Sequence, residues 1–142
     1  MFKRILICFF LPLFLLSCAG SGVTSYSQIA PMVSNKDGLN VFILRDSGYV
    51  GGGALIDVVL NNSPMQLGNK EMIVGVAIEG NNTLTAKVSG IQGTGLNVST
   101  KEFKMSKKQN RFYIISFKTG LFSNELQLME TVEDEWKQAA SK

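Results

Sequence analysis

Apolar and polar positions alternate with the period of a β-strand along much of the chain. The clearest case is the stretch 83–88, where Leu84, Ala86 and Val88 fall on one face and polar residues fall on the other. A period of two that includes β-branched residues is typical of a strand buried on one face only. This pattern predicts a sheet with one solvated face.

Further strands are predicted from apolar runs bounded by turn residues. The run 39–45 is almost continuously apolar, which is typical of a central strand covered on both faces. Clusters of Gly, Asn and Pro then mark turns. The segment 107–110 is predicted to be a hairpin turn. The other predicted strands are 54–60, 65–67, 72–78, 83–88, 101–105, 111–117 and 126–129.

The C-terminal residues follow a helical pattern instead. The stretch Thr131–Asp134 has the form of a capping box, and acidic residues would occupy the first turn of a helix beginning near residue 132. Trp136 and Ala140 are four residues apart and share one face of that helix. We expect this face to lay Trp136 against the sheets.

These elements predict a mainly β protein. Seven or eight short strands with turn signals between them favour a single antiparallel β-sandwich of the immunoglobulin, transthyretin or PEGA-like kind, with a short C-terminal helix. The predicted domain covers residues 39–142, about a hundred residues, which is enough for one domain with its own core.

The N-terminus has a different composition. Lys3 and Arg4 precede an uncharged apolar run, 5–16, which ends in Leu15-Leu16-Ser17-Cys18. Spanning a bilayer takes about 20 apolar residues, so the run is short for a membrane helix. It predicts a bacterial lipoprotein signal peptide, residues 1–17, cut between Ser17 and Cys18. The Cys18 thiol would carry diacylglycerol and anchor the chain to a membrane.

Two alternatives remain for this segment. The residues around Cys18 also fit an ordinary small-x-small cleavage site that would release the protein, and the run could stay as an uncleaved anchor, against which Pro12 argues.

For the lipoprotein, Ala19 after Cys18 favours a location at the outer membrane. Residues 18–38 read as a lipidated flexible tether, unless Tyr26, Ile29 and Met32 order it on a partner.

Composition narrows the range of possible functions. Removal of residues 1–17 takes Lys3 and Arg4 away and leaves 12 basic against 11 acidic residues, a balance that gives nucleic-acid binding no support. The chain has no His, and Cys8 would leave with the signal. Asp46 and Asp57 could form a carboxylate pair, but structural roles are favoured for them. We therefore predict no enzyme activity, no cofactor and no metal site.

One segment resembles a known family. Arg45-Asp46-Ser47-Gly48-Tyr49-Val50-Gly51 follows an apolar strand, and is similar to the opening of a family of small, functionally uncharacterised bacterial lipoproteins. Their strand ends in Arg-x-Ser-x-aromatic-Val-Gly. The strand 54–60, an apolar strand ending near Gly80, and the stretches 111–114 and 128–132 continue the resemblance. It implies a PEGA-like sandwich in the cell envelope, and no established activity.

The sequence thus predicts an envelope lipoprotein that works as a non-enzymatic interaction module with a protein partner. The alternative is a binder of a small or anionic polymeric ligand, or of anionic headgroups. A basic strand with its turn, or the loop between Arg45 and Tyr49, would then make the contact, although cations on an edge strand often only keep it soluble. The candidate contact residues are Arg45, Tyr49, Lys101, Lys104, Lys107, Lys108 and Arg111.

Overall fold

The computed structural model describes residues 20–46, 53–90, 98–119 and 124–142. Within these ranges the chain forms strands, two 3₁₀ turns near the N-terminal side and one α-helix near the C-terminal side. The strands are β1 (Asn40–Arg45), β2 (Ile56–Leu60), β3 (Ser63–Leu67), β4 (Met72–Val76), β5 (Gly80–Val88), β6 (Val98–Met105), β7 (Asn110–Thr119) and β8 (Asn124–Thr131). The 3₁₀ turns are Tyr26–Gln28 and Ala30–Met32, and the helix α1 is Glu133–Ala140.

The strands form two four-stranded sheets that face each other. The first has the order β4-β1-β7-β8 and the second has the order β3-β2-β5-β6. All strand pairs are antiparallel except β1 and β7, which run parallel at the centre of the first sheet. The predicted β-sandwich is confirmed, with this one parallel pair as a difference.

The main core lies between the two sheets and follows the alternation in the sequence. On β5 the side chains of Leu84, Ala86 and Val88 are buried, as predicted. They belong to the same buried cluster as residues of the other sheet such as Ile43 and Ile115. Burial of one such aliphatic side chain contributes about 1.5–3 kcal/mol, so this face drives the sheets together.

Strand β1 is covered on both faces, as its nearly continuous apolar run predicts. Val41 and Ile43 point into the main core. On the opposite face, Leu44 belongs to a second cluster of buried residues with Ile29, Met72 and Trp136. The first sheet therefore has a core on each side, because α1 and the segment 20–33 cover its outer face.

The helix α1 packs on the first sheet through Trp136. This side chain is fully buried, and its Nε1 donates a hydrogen bond of 3.1 Å to the carbonyl oxygen of Tyr113. Its ring lies 5.8 Å from that of Phe42 and 6.0 Å from that of Phe112. The predicted contact of Trp136 with the sandwich is confirmed.

The predicted capping box is wrong. The N-cap residue of α1 is Val132, and no side chain caps the helix there. The Thr131 hydroxyl instead donates to the Glu135 carboxylate. The helix does begin with acidic residues, and Lys137 pairs with Glu133 at 2.6 Å, an arrangement that suits the helix dipole.

The predicted hairpin at 107–110 is also wrong. Strand β6 ends in the second sheet and β7 begins in the first, so these residues cross between the sheets. Lys108 adopts a positive φ of 64°, and its backbone N–H donates to the carbonyl oxygen of Asp37 at 3.0 Å. The crossing takes the chain from β6 in the second sheet to β7 in the first, where β7 lies parallel to β1.

Residues 20–33 differ from the predicted flexible tether. Val23 pairs with Met72 through two backbone hydrogen bonds of 2.8 and 2.7 Å, and Ile29 is buried in the second cluster. Tyr26 lies 6.3 Å from Trp136. Tyr26, Ile29 and Met32, which the sequence offered to a partner, contact the chain's own first sheet or its helix, because that sheet has an apolar outer face to cover.

Candidate functional site

Different groups of residues lie at the two ends of the sandwich. The Gly20 end is defined by Gly20, Asp46, the β3–β4 turn 68–71 and Lys142. The Lys108 end is defined by Lys108, Asn61 and Gly80. Strand register sets which end each group belongs to, because Arg45 pairs with Ile115 at one end of β1 and Asn40 pairs with Asn110 at the other.

A buried carboxylate organises the Gly20 end. Glu71 is only 8% exposed. Its carboxylate accepts backbone N–H bonds from Gly68 at 2.8 Å, Gly20 at 3.2 Å and Gly22 at 3.3 Å. An ionised carboxylate forms charge-assisted bonds of this kind, which are stronger than neutral ones. Glu71 therefore holds the N-terminal segment and the β3–β4 turn together.

Backbone hydrogen bonds also attach the N-terminal segment to both sheets. Ser21 donates its backbone N–H to the carbonyl oxygen of Gln66 on β3 at 2.7 Å, and Val23 pairs with Met72 on β4. The Ser21 hydroxyl accepts the Gln66 backbone N–H at 3.0 Å. Residues 20–23 thus join the edge strands of the two sheets, one from each layer.

Arg45 lies inside the Gly20 end and not on its surface. The side chain is 2% exposed, and its Nη1 donates to the carbonyl oxygens of Ala54 and Leu67, the latter at 3.3 Å. Burial lowers the pKa of Arg45, and the nearby charge of Glu71 opposes that effect. These bonds anchor the end of β1 to the segment before β2 and to the end of β3. Tyr49, its predicted companion, lies outside the described residues.

The predicted basic residues lie on β6, on β7 and in the crossing between these two strands. Lys104 is exposed on β6, and Arg111 donates to the Lys104 carbonyl oxygen at 2.9 Å while pairing with the Glu130 carboxylate. Lys107 lies 3.8 Å from Glu79. Lys108 is exposed in the crossing between the sheets. Two of the predicted contact residues therefore have acidic partners within the domain.

The two candidate aspartates belong to different sheets. Asp46 follows β1, and its backbone N–H donates to the carbonyl oxygen of Ile115 at 2.9 Å. Asp57 lies on β2, where its carboxylate accepts a bond of 2.9 Å from the Gln66 side chain. Asp57 therefore has a structural partner, as the favoured interpretation predicts.

A cavity of about 210 Å³ opens at the Gly20 end beside the last residues of α1. Leu44 and Ala140 form apolar parts of its wall, and Asp46 and Lys70 add charges of opposite sign. Among the described residues, no group of three or more His, Cys, Asp or Glu side chains is placed to hold a metal ion.

Sequence reasoning missed Glu71 as an organising residue. In sequence it is one acidic residue in a short turn, and its partners Gly20 and Gly22 are about fifty positions away. The pairing of Val23 with Met72 and the bonds of Ser21 to Gln66 bring them together. The signal peptide, Ser17 and Cys18 lie outside the described residues.

Comparison of the chain with protein-family models, with curated proteins and with solved structures gave no match. None of the helices in the described part of the chain has the length and apolar character needed to cross a bilayer.

Proposed function

We propose that this protein is a bacterial envelope lipoprotein, anchored through diacylglycerol on Cys18, and that its β-sandwich is a non-enzymatic interaction module. The observation that carries the proposal is the position of Gly20, which is hydrogen-bonded into the domain only two residues after Cys18. Cleavage before Cys18 would remove none of the described residues. Such cleavage is therefore compatible with every contact described from Gly20 onward.

The side chains that could carry chemistry support an interaction module. Arg45 holds backbone carbonyl oxygens, Glu71 holds backbone N–H groups, and Asp57 holds Gln66. The chain contains no His, and Cys18 would be consumed by the lipid. General acid–base work needs a group that can reach a substrate proton, and these side chains are already engaged. We place the protein at the outer membrane, because Ala19 follows Cys18.

The anchor is tested by growing cells with an alkyne-tagged fatty acid and measuring the label on the purified protein. Wild type should carry the label and Cys18→Ser should lose it. Cys8→Ser is the matched control, since this cysteine would leave with the signal peptide and its loss should change nothing. Label that persists in Cys18→Ser would refute the proposed anchor.

The interaction module is tested by crosslinking the lipidated protein in its own envelope and identifying what is purified with it. A stoichiometric protein that accompanies wild type and is absent with Cys18→Ser is the expected result. Recovery of the protein alone, with salt-sensitive binding of an anionic polymer that Lys107→Ala and Lys108→Ala abolish, would favour the ligand-binding alternative instead.

A further inference from the structure

We propose that the domain rests directly on the bilayer in one orientation, with the Gly20 end against the lipid headgroups and the Lys108 end pointing away. This inference rests on the proposed anchor at Cys18. It goes beyond that anchor because it names the surface that faces the membrane and the surface that is left for a partner.

The first step is that the chain is fixed from Gly20 onward. Glu71 accepts N–H bonds from Gly20 and Gly22, and the Ser21 and Val23 backbones pair with edge strands of both sheets. Gly22 is also closely enclosed, because a Cβ atom there would lie 2.7 Å from the Met72 carbonyl oxygen. A segment held by this many backbone contacts does not act as a free linker.

The second step is the length of chain between the lipid and the fixed segment. Two peptide units separate the Cα atom of Cys18 from that of Gly20, and two extended residues span at most about 7 Å. The flexible tether predicted from the sequence, at about 20 residues, would have a root-mean-square reach of roughly 25 Å. The actual attachment is therefore too short to lift the domain off the headgroups or to let it turn over.

The third step identifies the surface that meets the headgroups. Lys70 lies in the β3–β4 turn next to Glu71, and its Nζ donates to the Lys142 carbonyl oxygen at 3.3 Å. Two lysines therefore lie beside the attachment point, where they can contact lipid phosphates. Asp46 is at the same end, so the short attachment, and not the net charge, sets the orientation.

The same geometry places two of the predicted basic residues, Lys107 and Lys108, away from the bilayer. From Ile115, level with Arg45, to Asn110 is five residues of β7, about 17 Å of strand at the usual rise per residue. Lys107 and Lys108 lie beyond Asn110. These lysines therefore face away from the lipid. Lys108 is exposed there, and Lys107 pairs with Glu79.

The test uses thiol-reactive fluorophores on the lipidated full-length protein in phospholipid vesicles. Introduced cysteines would be the only free thiols, because Cys8 is removed and Cys18 carries the lipid. Asn69→Cys places the probe in the β3–β4 turn at the Gly20 end, and Lys107→Cys places it at the Lys108 end. Both positions are exposed. Collisional quenching by nickel-chelating lipid headgroups then reports how close each probe is to the bilayer surface.

We expect the probe at Asn69→Cys to be quenched several-fold more strongly than the probe at Lys107→Cys. Insertion of ten Gly and Ser residues between Ala19 and Gly20 adds a reach of roughly 16–19 Å and leaves the folded contacts intact, so it should bring the two values together. Equal quenching before the insertion, stronger quenching at Lys107→Cys, or a ratio that the insertion does not change would each overturn the inference.

The failure of the anchor is distinguishable from the failure of the orientation. Intact-mass measurement shows whether the acyl groups are present, and flotation shows whether the protein is bound to vesicles. Protein without acyl mass that does not float would refute the anchor and the orientation together. Acylated, vesicle-bound protein with equal quenching at both probes would refute the orientation alone.

Discussion

At the scale of single residues, buried polar side chains hold this domain together across long distances in sequence. Arg45 and Glu71 each bind backbone groups from segments that are remote in the chain. Asn82 does the same locally, since its side chain accepts the Ile78 N–H at 2.9 Å and donates to the Ile78 carbonyl oxygen at 2.8 Å. Buried polar groups need such partners, because an unpaired one costs about 1–3 kcal/mol.

Trp136 is the residue whose truncation should cost most. It is fully buried between α1 and the first sheet and bonded to Tyr113. Trp136→Ala should lower the free energy of unfolding by about 3–5 kcal/mol, as expected for truncation of a large buried aromatic side chain. Urea unfolding followed by far-ultraviolet circular dichroism measures the change.

Val132→Ala is the control for this measurement, because that side chain is 62% exposed at the start of the same helix. Substitutions at such surface positions usually change stability by within about 0.5 kcal/mol. Equal effects of Trp136→Ala and Val132→Ala would contradict the packing described for α1.

Tyr113 should make stability fall at alkaline pH. Burial raises the pKa of Tyr113 to about 12, with a further upward contribution from Glu130 and a downward one from Arg111. A tyrosine in an unfolded chain has a pKa of about 10, so the folded state favours the protonated phenol. The resulting stability is complete below pH 10 and is lost as pH rises toward 12.

The prediction is measured as the urea midpoint across this pH interval. The midpoint of wild type should fall more steeply than that of Tyr113→Phe, which keeps the ring and has no phenol to ionise. Parallel curves for the two proteins would show that Tyr113 does not contribute to the alkaline loss.

At the scale of elements, the sequence predicted the strands well and the connections poorly. The alternation in β5 and the apolar run of β1 follow from burial, and burial is directly apparent in a sequence as the spacing of apolar residues. The crossing at 107–110 looks like a hairpin because its turn residues are polar, and only the partners of β6 and β7 reveal it as a crossing. The segment 20–33 has no regular period, since isolated side chains such as Ile29 carry its packing.

The same reasoning explains what was predicted of the candidate site. The sequence indicates Arg45 as a candidate because it is a charged residue at a strand end. The sequence does not indicate that Arg45 is buried, since the carbonyl oxygens it binds lie in other parts of the chain. Glu71 did not stand out, because its partners are two glycine N–H groups from a distant segment and one from its own turn. A sequence does not show which backbone N–H groups will donate to a side chain, because nearly every residue has one.

Gly22→Ala tests whether the segment 20–23 is a working part of the domain. An added Cβ would meet the Met72 carbonyl oxygen at 2.7 Å and Glu71 Cβ at 2.9 Å, and the backbone oxygen cannot move aside without breaking strand contacts. Overpacking of this kind typically costs about 1–3 kcal/mol. We expect lower stability and faster amide hydrogen exchange at Gly20 and Gly22.

The matched control is Gly53→Ala, because a Cβ there would have no neighbour within 4 Å. Where the backbone accepts alanine without strain, this change stabilises a protein by about 0.4–1 kcal/mol through the unfolded state. Unchanged exchange at Gly20 in Gly22→Ala would mean that the segment is not held as the structure describes.

At the scale of the whole molecule, the two ends of the sandwich have separate tasks in the proposed arrangement. The Gly20 end receives the chain from the membrane, and the Lys108 end is the more distant surface. Exposed groups at the Lys108 end include Lys108, Asn62 and Ile78, which is 59% exposed. A protein partner in the envelope would reach this end without competition from the bilayer.

Photo-crosslinking maps that partner surface. A crosslinker at Lys107→Cys or Asn62→Cys should capture the partner protein, whereas one at Asn69→Cys should capture lipid and little protein. The comparison is made in intact envelopes, with the fatty-acid label confirming the anchor in each variant. Partner capture mainly from Asn69→Cys would reverse the assignment of the two ends.

The parallel pairing of β1 with β7 has a consequence for the order of folding. The second sheet is built from strands within residues 56–105, but β1 reaches its central partner only when Asn40 meets Asn110, seventy positions later. Proteins dominated by such distant pairings fold in milliseconds to seconds, far more slowly than helical bundles. A chain exported in the proposed way must cross a membrane before it folds, and this topology delays closure of the first sheet until β7 has followed.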